Sequence, residues 1–202
     1  MPTPRGAATR TRIIEAAAGL VAARGVAGTT LDEVMEISGT SKSQIYHYFA
    51  HKDALMAAVV KVQSQAVLDF QADCLSEVRS IAGLRQWRDR VVELNRSNRG
   101  VGGCPIGSLA SELAERSEPA RTLLEKSFQL WECHIATALG AMQDLRVLSQ
   151  RAQPHDLAIA LVSALQGGLL LAQTTRTTRP LELALDMAID HIASYCIRSR
   201  HT

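Results

Sequence analysis

The chain has 202 residues and a mass of 21.9 kDa, enough for one compact core or two modest domains. Its apolar share is 47 % with only 6 prolines and 4 % aromatic residues, and runs rich in Val, Ile, Thr and Tyr are missing, so an all-α fold is expected and a strand-rich one is excluded. A net charge of +2 does not announce a nucleic-acid binder, although residues 1–52 hold six basic and four acidic side chains and so carry the whole excess.

In chain order, Met1 to Ala8 reads as an N-terminal arm. Arg5 and Arg10 are placed to reach phosphates or a minor groove, with a solvated tail as the plain alternative. A first helix is expected from Thr9 to Arg24, stopping at Gly25, with Ile13, Ala17, Leu20 and Val21 as its apolar stripe. Thr30-Leu31-Asp32-Glu33 is a capping-box start, and Leu31, Val34 and Met35 recur at helical spacing until Gly39. Ser41 then caps another short helix, with Gln44 three residues on. At 3.6 residues per turn Ile45 and Phe49 share its inner face, leaving Lys42, Ser43, Gln44, Tyr46 and His47 outside. No acid occurs from Ser38 to Lys52, and a surface offering hydroxyl, amide and ammonium donors without acids suits a polyanion.

Two short helices joined by a tight glycine turn make a helix-turn-helix, although a helical hairpin in any bundle uses the same caps. In that motif the second helix enters the major groove by its N-terminal end. Lys42 then donates to guanine O6 and N7, and Gln44 offers a bidentate amide to adenine. Tyr46, His47 and Lys52 clamp phosphates, which sets register. Thr30, at a positively polarised helix end, adds a phosphate contact. Tyr48 is as readily a packing residue. His47 and His51 stand i, i+4 as metal pairs do, but no third ligand lies nearby, so neither a metal nor another cofactor is expected.

The wording of these segments resembles the signature of TetR-family transcriptional repressors: Ile13-Ile14-x-Ala16-Ala17 followed by Gly25, Thr29-Thr30-Leu31-x-x-Val34 followed by Ser38-Gly39, and Ser41-Lys42-x-x-Ile45-Tyr46-x-Tyr48-Phe49-x-x-Lys52-x-x-Leu55. The match covers about the first 60 residues. Ser43 departs from the glycine that the family often carries there. The resemblance implies a DNA-binding head at residues 1–52, a ligand-binding and dimerisation body at 53–202, and a homodimer on a palindromic operator, released by a small-molecule inducer.

The remaining pattern is helical. A long helix opens near Lys52-Asp53 and carries Leu55, Val59, Val62, Ala66 and Phe70; in the family it links head to body. Another runs from about Ile81 to Arg96. The break from Asn95 to Pro105 holds Gly100, Gly102 and Gly103, and Pro105 suits the first turn of a helix ending near Ala114. Its opening, Gly103-Cys104-Pro105-Ile106-Gly107, resembles the segment that begins the ligand-binding body in some family members. Further helices are expected from Glu118 to Leu145, Pro154 to Thr174 and Pro180 to Ile197. In the family the last two form a four-helix dimer interface, where Gly167-Gly168 permits close approach; packing within one chain is the plain alternative.

For a ligand site the candidates are Trp87, Cys104, Phe128, Trp131, His134, Gln166 and Gln173, since small-molecule sites are apolar with a few polar groups. Cys104, in a Gly-rich turn beside a helix start, is a candidate thiol sensor, with a small buried apolar residue as the alternative. Cys74, Cys104, Cys133 and Cys196 form no C-x-x-C pair, as expected of a reduced, cytoplasmic chain. No signal-peptide core follows Ala8, and Leu161 to Ala172 is too short to span a bilayer, so no membrane is expected. Gly-x-Ser-x-Gly, Walker, His-Glu-x-x-His and dinucleotide motifs are missing, so no enzyme is expected. The competing reading is a helical interaction or ligand-binding module without specific DNA binding.

Overall fold

The computed structural model describes residues 3–197. These form nine helices: α1 (Pro4–Arg24), α2 (Leu31–Ser38), α3 (Lys42–Tyr48), α4 (Lys52–Leu75), α5 (Ile81–Ser97), α6 (Pro105–Leu113), α7 (Glu118–Asp144), α8 (Pro154–Thr175) and α9 (Arg179–Ala193). The only extended pairing among the described residues is an isolated antiparallel bridge between Leu148 and Cys196. The fold is all-α, as the composition requires.

The N-terminal arm is a correction. Thr3 caps α1 by accepting from the Gly6 amide at 3.2 Å, and Pro4 occupies the first turn, where its missing N–H costs nothing and its fixed φ suits the helix. Residues 4–8 are therefore helical, and Met1 and Pro2 lie outside the described residues. Arg10 lies on that helix with its guanidinium 5.2 Å from the Phe49 ring centroid, a cation–π contact rather than a free reach.

The chain divides into two compact units. One comprises residues up to Val67 together with Pro105–Ser127; the other comprises Leu68–Cys104 and the residues from Phe128 onward. This contact division does not follow the expected one at residues 52 and 53: the boundary falls within α4, and α6 joins the unit that holds the helix-turn-helix. In the first unit Ile13, Ala17, Val34, Ile45, Leu55, Val59 and Ile106 are sealed from solvent. These are the apolar positions at helical spacing, so burial follows the pattern directly.

In the second unit α5 buries Leu84, Trp87 and Val92, α7 buries Trp131, Ile135, Leu139 and Met142, and α8 packs more extensively on α9 than on any other helix. A Cβ on Gly168 would stand 2.9 Å from the Leu181 Cα. The close approach expected of Gly167-Gly168 across a dimer is thus made at Gly168 within the chain, while Gly167 is exposed. By length and composition α8, at 22 residues, is apolar enough to cross a membrane, more than the shorter run Leu161 to Ala172 suggested. Core helices meet the same test, and α8 packs on α9 while burying Leu161, Leu165 and Leu169.

A ladder of ion pairs joins α5 to α9. Arg85 meets Asp190 at 2.7 Å, Arg88 meets Asp186 at 2.8 Å and Arg96 meets Glu182 at 3.1 Å. The α5 numbers rise as the α9 numbers fall, so the two helices run antiparallel.

Candidate nucleic-acid interface and effector site

The turn between α2 and α3 is built from small polar residues. Gly39 takes the left-handed conformation at φ 61° that ends α2, which glycine adopts without a steric penalty. The Thr40 amide donates to the Met35 carbonyl at 3.1 Å, and the Ser38 and Thr40 hydroxyls lie 2.7 Å apart in the buried corner. Ser41 then begins α3, accepting from the Gln44 amide at 3.3 Å while Gln44 Oε1 accepts from the Ser41 amide at 2.8 Å. Ile45 and Phe49 are buried, and Lys42, Ser43, Gln44, Tyr46 and His47 are all exposed. The inner and outer faces of α3 are those the sequence assigns.

The structure separates the predicted contact residues into free and engaged groups. The side chains of Lys42 and Tyr46 make no hydrogen bond or ion pair with any described residue, and the His47 ring meets the Tyr48 ring edge-on at 4.9 Å. Gln44 Oε1 accepts from the Ser41 amide in the capping box, which uses one of its two lone pairs and leaves the NH2 group to donate elsewhere. The Ser43 hydroxyl lies 2.9 Å from the Ser41 hydroxyl. Thr30 is closed within its own capping box: its hydroxyl donates to Glu33 Oε2 at 2.8 Å and accepts from the Glu33 amide at 3.3 Å. The Glu33 carboxylate also accepts from the Thr30 amide at 3.2 Å.

Lys52 is the clearest change of role. Its ammonium donates to the Val26 carbonyl at 3.0 Å and the Thr29 carbonyl at 2.5 Å, so it ties α4 to the loop before α2 rather than standing free as a phosphate clamp. The acid-free run in sequence also gains an acid in space. Asp32 of α2 lines a shallow groove of about 170 Å³ with Leu31, Met35, Lys42, Ile45 and Tyr46. His51, the other half of the i, i+4 pair, accepts from the Ala54 amide at Nδ1 and caps α4. Among the described residues no group of three or more His, Cys, Asp and Glu is placed to hold a metal ion.

The predicted effector residues all fall in the second unit, but their states differ. Trp87 is sealed, and its indole N–H donates to Gln71 Oε1 at 2.8 Å. Trp131 is equally sealed, yet its indole N–H has no partner, and one turn on the buried Nδ1 of His134 has none either. Cys104 is buried, and its Sγ accepts from Gln166 Nε2 at 3.3 Å. Gln173 is half-buried and fills the space over Gly103, where a Cβ would stand 2.5 Å from its Oε1. Phe128 is half-buried. The sequence pattern did not point to Gln71 or to Asn95, a buried residue whose Oδ1 also lacks a partner.

A capped two-helix motif with a glycine corner, on a helical scaffold and presenting an unpaired Lys, Tyr and His face, defines a helix-turn-helix transcriptional regulator. Comparison with known proteins places it more closely. Residues 13–59 match the model for bacterial regulatory proteins of the tetR family, and residues 80–187 match the LmrA/YxaF-like transcriptional regulator C-terminal domain. The second match alone covers more than half of the chain, and the chain belongs to the tetR family. It is 29 % identical over 184 residues to an HTH-type transcriptional regulator of the lacX 3′ region from Lactococcus lactis subsp. lactis, covering 89 % of this chain and 90 % of that one. The HTH-type transcriptional repressor NemR of Escherichia coli (strain K12) is 26 % identical, with 88 % and 90 % covered. A TetR transcriptional regulator from Chloroflexus aurantiacus superposes with a TM-score of 0.83 at 25 % identity, covering 96 % of this chain and 98 % of that one. The family and these relatives are transcriptional regulators, not enzymes.

Proposed function

We propose that this regulator is a cytoplasmic, dimeric repressor that binds a palindromic operator through α3 and is released by a small-molecule inducer held in the second unit. The observation that carries the reading is the outer face of α3, where Lys42, Tyr46 and His47 are exposed and free of ion-pair partners among the described residues. On this reading Lys42 reads a base edge, and Tyr46 and His47 hold phosphates. Ser43 and Gln44 stand beside them. Thr30 and Lys52 support α2 and α3 rather than touch DNA. Residues 1–52 remain the proposed DNA-binding part and 53–202 the effector and dimerisation part, with α6 lending structural support to the former.

Dimerisation is supported by the apolar residues that α8 and α9 leave exposed. Leu170, Leu171, Leu183 and Met187 are each half or more accessible, an arrangement that a partner's surface would cover. Effector binding is supported by the contrast between the two tryptophans. A buried N–H without an acceptor is costly, and Trp131 and His134 offer two such atoms one turn apart. A largely apolar molecule carrying an acceptor oxygen satisfies the indole. Trp87, already paired with Gln71, is structural on this reading. Phe128, Gln166 and Gln173 remain proposed lining residues, and burial of Cys104 favours packing over thiol sensing.

The test is selection from a random pool of duplexes at near-physiological salt, followed by sequencing. Recovery of an inverted repeat with half-sites about one helical turn apart, or a multiple of it, supports the reading. Failure of the folded protein to enrich any sequence overturns it in favour of a helical interaction or ligand-binding module. With the selected duplex, Trp131→Phe should bind DNA normally and lose its response to an inducer found by screening for DNA release.

A further inference from the structure

The loop from Gly25 to Thr29, which carries the chain from α1 into α2 and so sets where α2 and α3 begin, is gripped from two sides by opposite charges. On one side the Glu112 carboxylate of α6 accepts from the Val26 amide at 2.8 Å and the Ala27 amide at 3.3 Å, across 86 and 85 residues of sequence. On the other side Lys52 donates to the Val26 and Thr29 carbonyls. Val26 is thus held by its N–H and its C=O at once. Gly25 makes room for the first grip: its φ is +75°, and a Cβ there would stand 2.8 Å from Glu112 Oε1. The loop closes on itself as well, because the Thr29 hydroxyl donates to the Gly25 carbonyl at 2.8 Å.

Hydrogen bonds from backbone amides to a carboxylate are among the stronger ones in proteins. Glu112 uses its carboxylate on the loop although it lies on a helix whose other inward residues, Ile106, Leu109 and Leu113, are apolar and buried. All of these groups belong to one compact unit, so α6 and the recognition motif share a frame. α6 also starts at Pro105, directly after the Gly102-Gly103-Cys104 break.

We propose that Glu112 is a positioning residue for DNA recognition: it fixes the loop from which α2 and α3 depart. The proposal rests on the DNA-binding reading above. It makes a prediction of unusual sign. Removing a carboxylate makes the motif's surroundings more basic, so electrostatics alone predicts tighter DNA binding. Loss of the grip predicts weaker specific binding instead.

The experiment compares wild type, Glu112→Ala and Glu112→Gln on the selected duplex and on an unrelated duplex, at a temperature where circular dichroism shows all three folded. Glu112→Ala should lose about tenfold in specific affinity, the size of effect that coupling residues commonly have. It should keep its affinity for the unrelated duplex and its salt slope, because no phosphate contact is removed. Glu112→Gln, whose amide oxygen still accepts from the Val26 amide, should stay within about threefold of wild type. Amide hydrogen exchange in the absence of DNA should quicken at Val26 and Ala27 in the alanine variant while α3 stays protected. Wild-type or tighter specific affinity in Glu112→Ala, or an equal loss on both duplexes, overturns the proposal. If wild type selects no duplex, the DNA-binding reading fails while the exchange measurement still decides whether Glu112 holds the loop. Unchanged exchange at Val26 and Ala27 then overturns the grip itself.

Discussion

Helices α3 and α5 are both amphipathic, and both bury aromatic or aliphatic anchors, yet their outer faces have opposite fates. On α5 the arginines that leave the core are met by acids: Arg85, Arg88 and Arg96 pair with Asp190, Asp186 and Glu182 of α9. On α3 Lys42 and Tyr46 meet no described partner. Charge density does not separate the two helices, since α5 is the more highly charged. What differs is whether the fold places a complementary row opposite. A polar face left unpaired on a firmly capped helix is available to a partner molecule, and a paired one belongs to the fold.

The comparison breaks first if the inner faces are not equally structural. Phe49→Ala and Trp87→Ala should each cost about 3–5 kcal/mol in unfolding free energy, the range for emptying a buried aromatic site. Denaturant titration checks this, and a cost below 1 kcal/mol at either position would mean that its helix is not anchored as described. The next effect sharpens the α5 side. Arg88 is the least exposed arginine of the ladder and bridges Asp89 and Asp186; burial works against its charge, but the two aspartates stabilise the protonated guanidinium and hold its pKa above the ordinary arginine value. Arg88→Met should cost about 1–3 kcal/mol, between the exposed and the buried case. Arg85→Met, at a position open to solvent, should stay within about 0.5 kcal/mol of wild type.

On the α3 side, Lys42→Ala should weaken binding to the selected duplex by about tenfold, within the range of one good base contact, and leave the melting temperature unchanged. Tyr46→Phe should weaken it less, by loss of one phosphate hydrogen bond. The smallest effect concerns acid. Hydrogen bonds from Thr30, together with the pairing to Arg24, hold the Glu33 carboxyl below its ordinary value of 4.5. A depressed carboxylate stabilises the fold above its unfolded pKa, and that contribution fades as pH falls through the lower folded value. Wild type should therefore lose slightly more stability than Glu33→Gln between pH 4.5 and more acidic solutions. Parallel pH profiles for the two would show that the capping box contributes nothing through its charge.

Much of the scaffold was legible in the sequence, because helix starts and corners are local. Thr30-x-x-Glu33 and Ser41-x-x-Gln44 both form the reciprocal caps that their spacing announces. Ile45 and Phe49 are buried where the helical period puts them. The same local signal stands at Thr3-Pro4, a cap followed by a proline at the first helical position, and it starts the first helix at Pro4 rather than Thr9. Shared roles are harder to see: Gln44 Oε1 closes the cap with one lone pair, so the direction in which its amide can reach a base is set by that cap. Long-range partners left no trace in a single sequence. The pairing of Arg88 with Asp186, the hold of Glu112 on Val26 and the turning of Lys52 toward Val26 and Thr29 depend on which helices the fold brings together. Trp87 and Trp131 are indistinguishable as aromatic residues on the buried faces of helices, and only the presence of Gln71 beside one of them tells them apart.

The most direct measurement titrates the selected duplex, over a range of salt concentrations, with wild type, Lys42→Ala and Arg88→Met side by side. The account predicts that log affinity falls linearly with log salt for wild type. Lys42→Ala should bind more weakly at every salt concentration with unaltered stability. Arg88→Met should bind like wild type while folded, despite its lower stability. Wild-type affinity in Lys42→Ala, or a loss of affinity confined to Arg88→Met, would contradict the assignment of α3 as the surface that meets DNA.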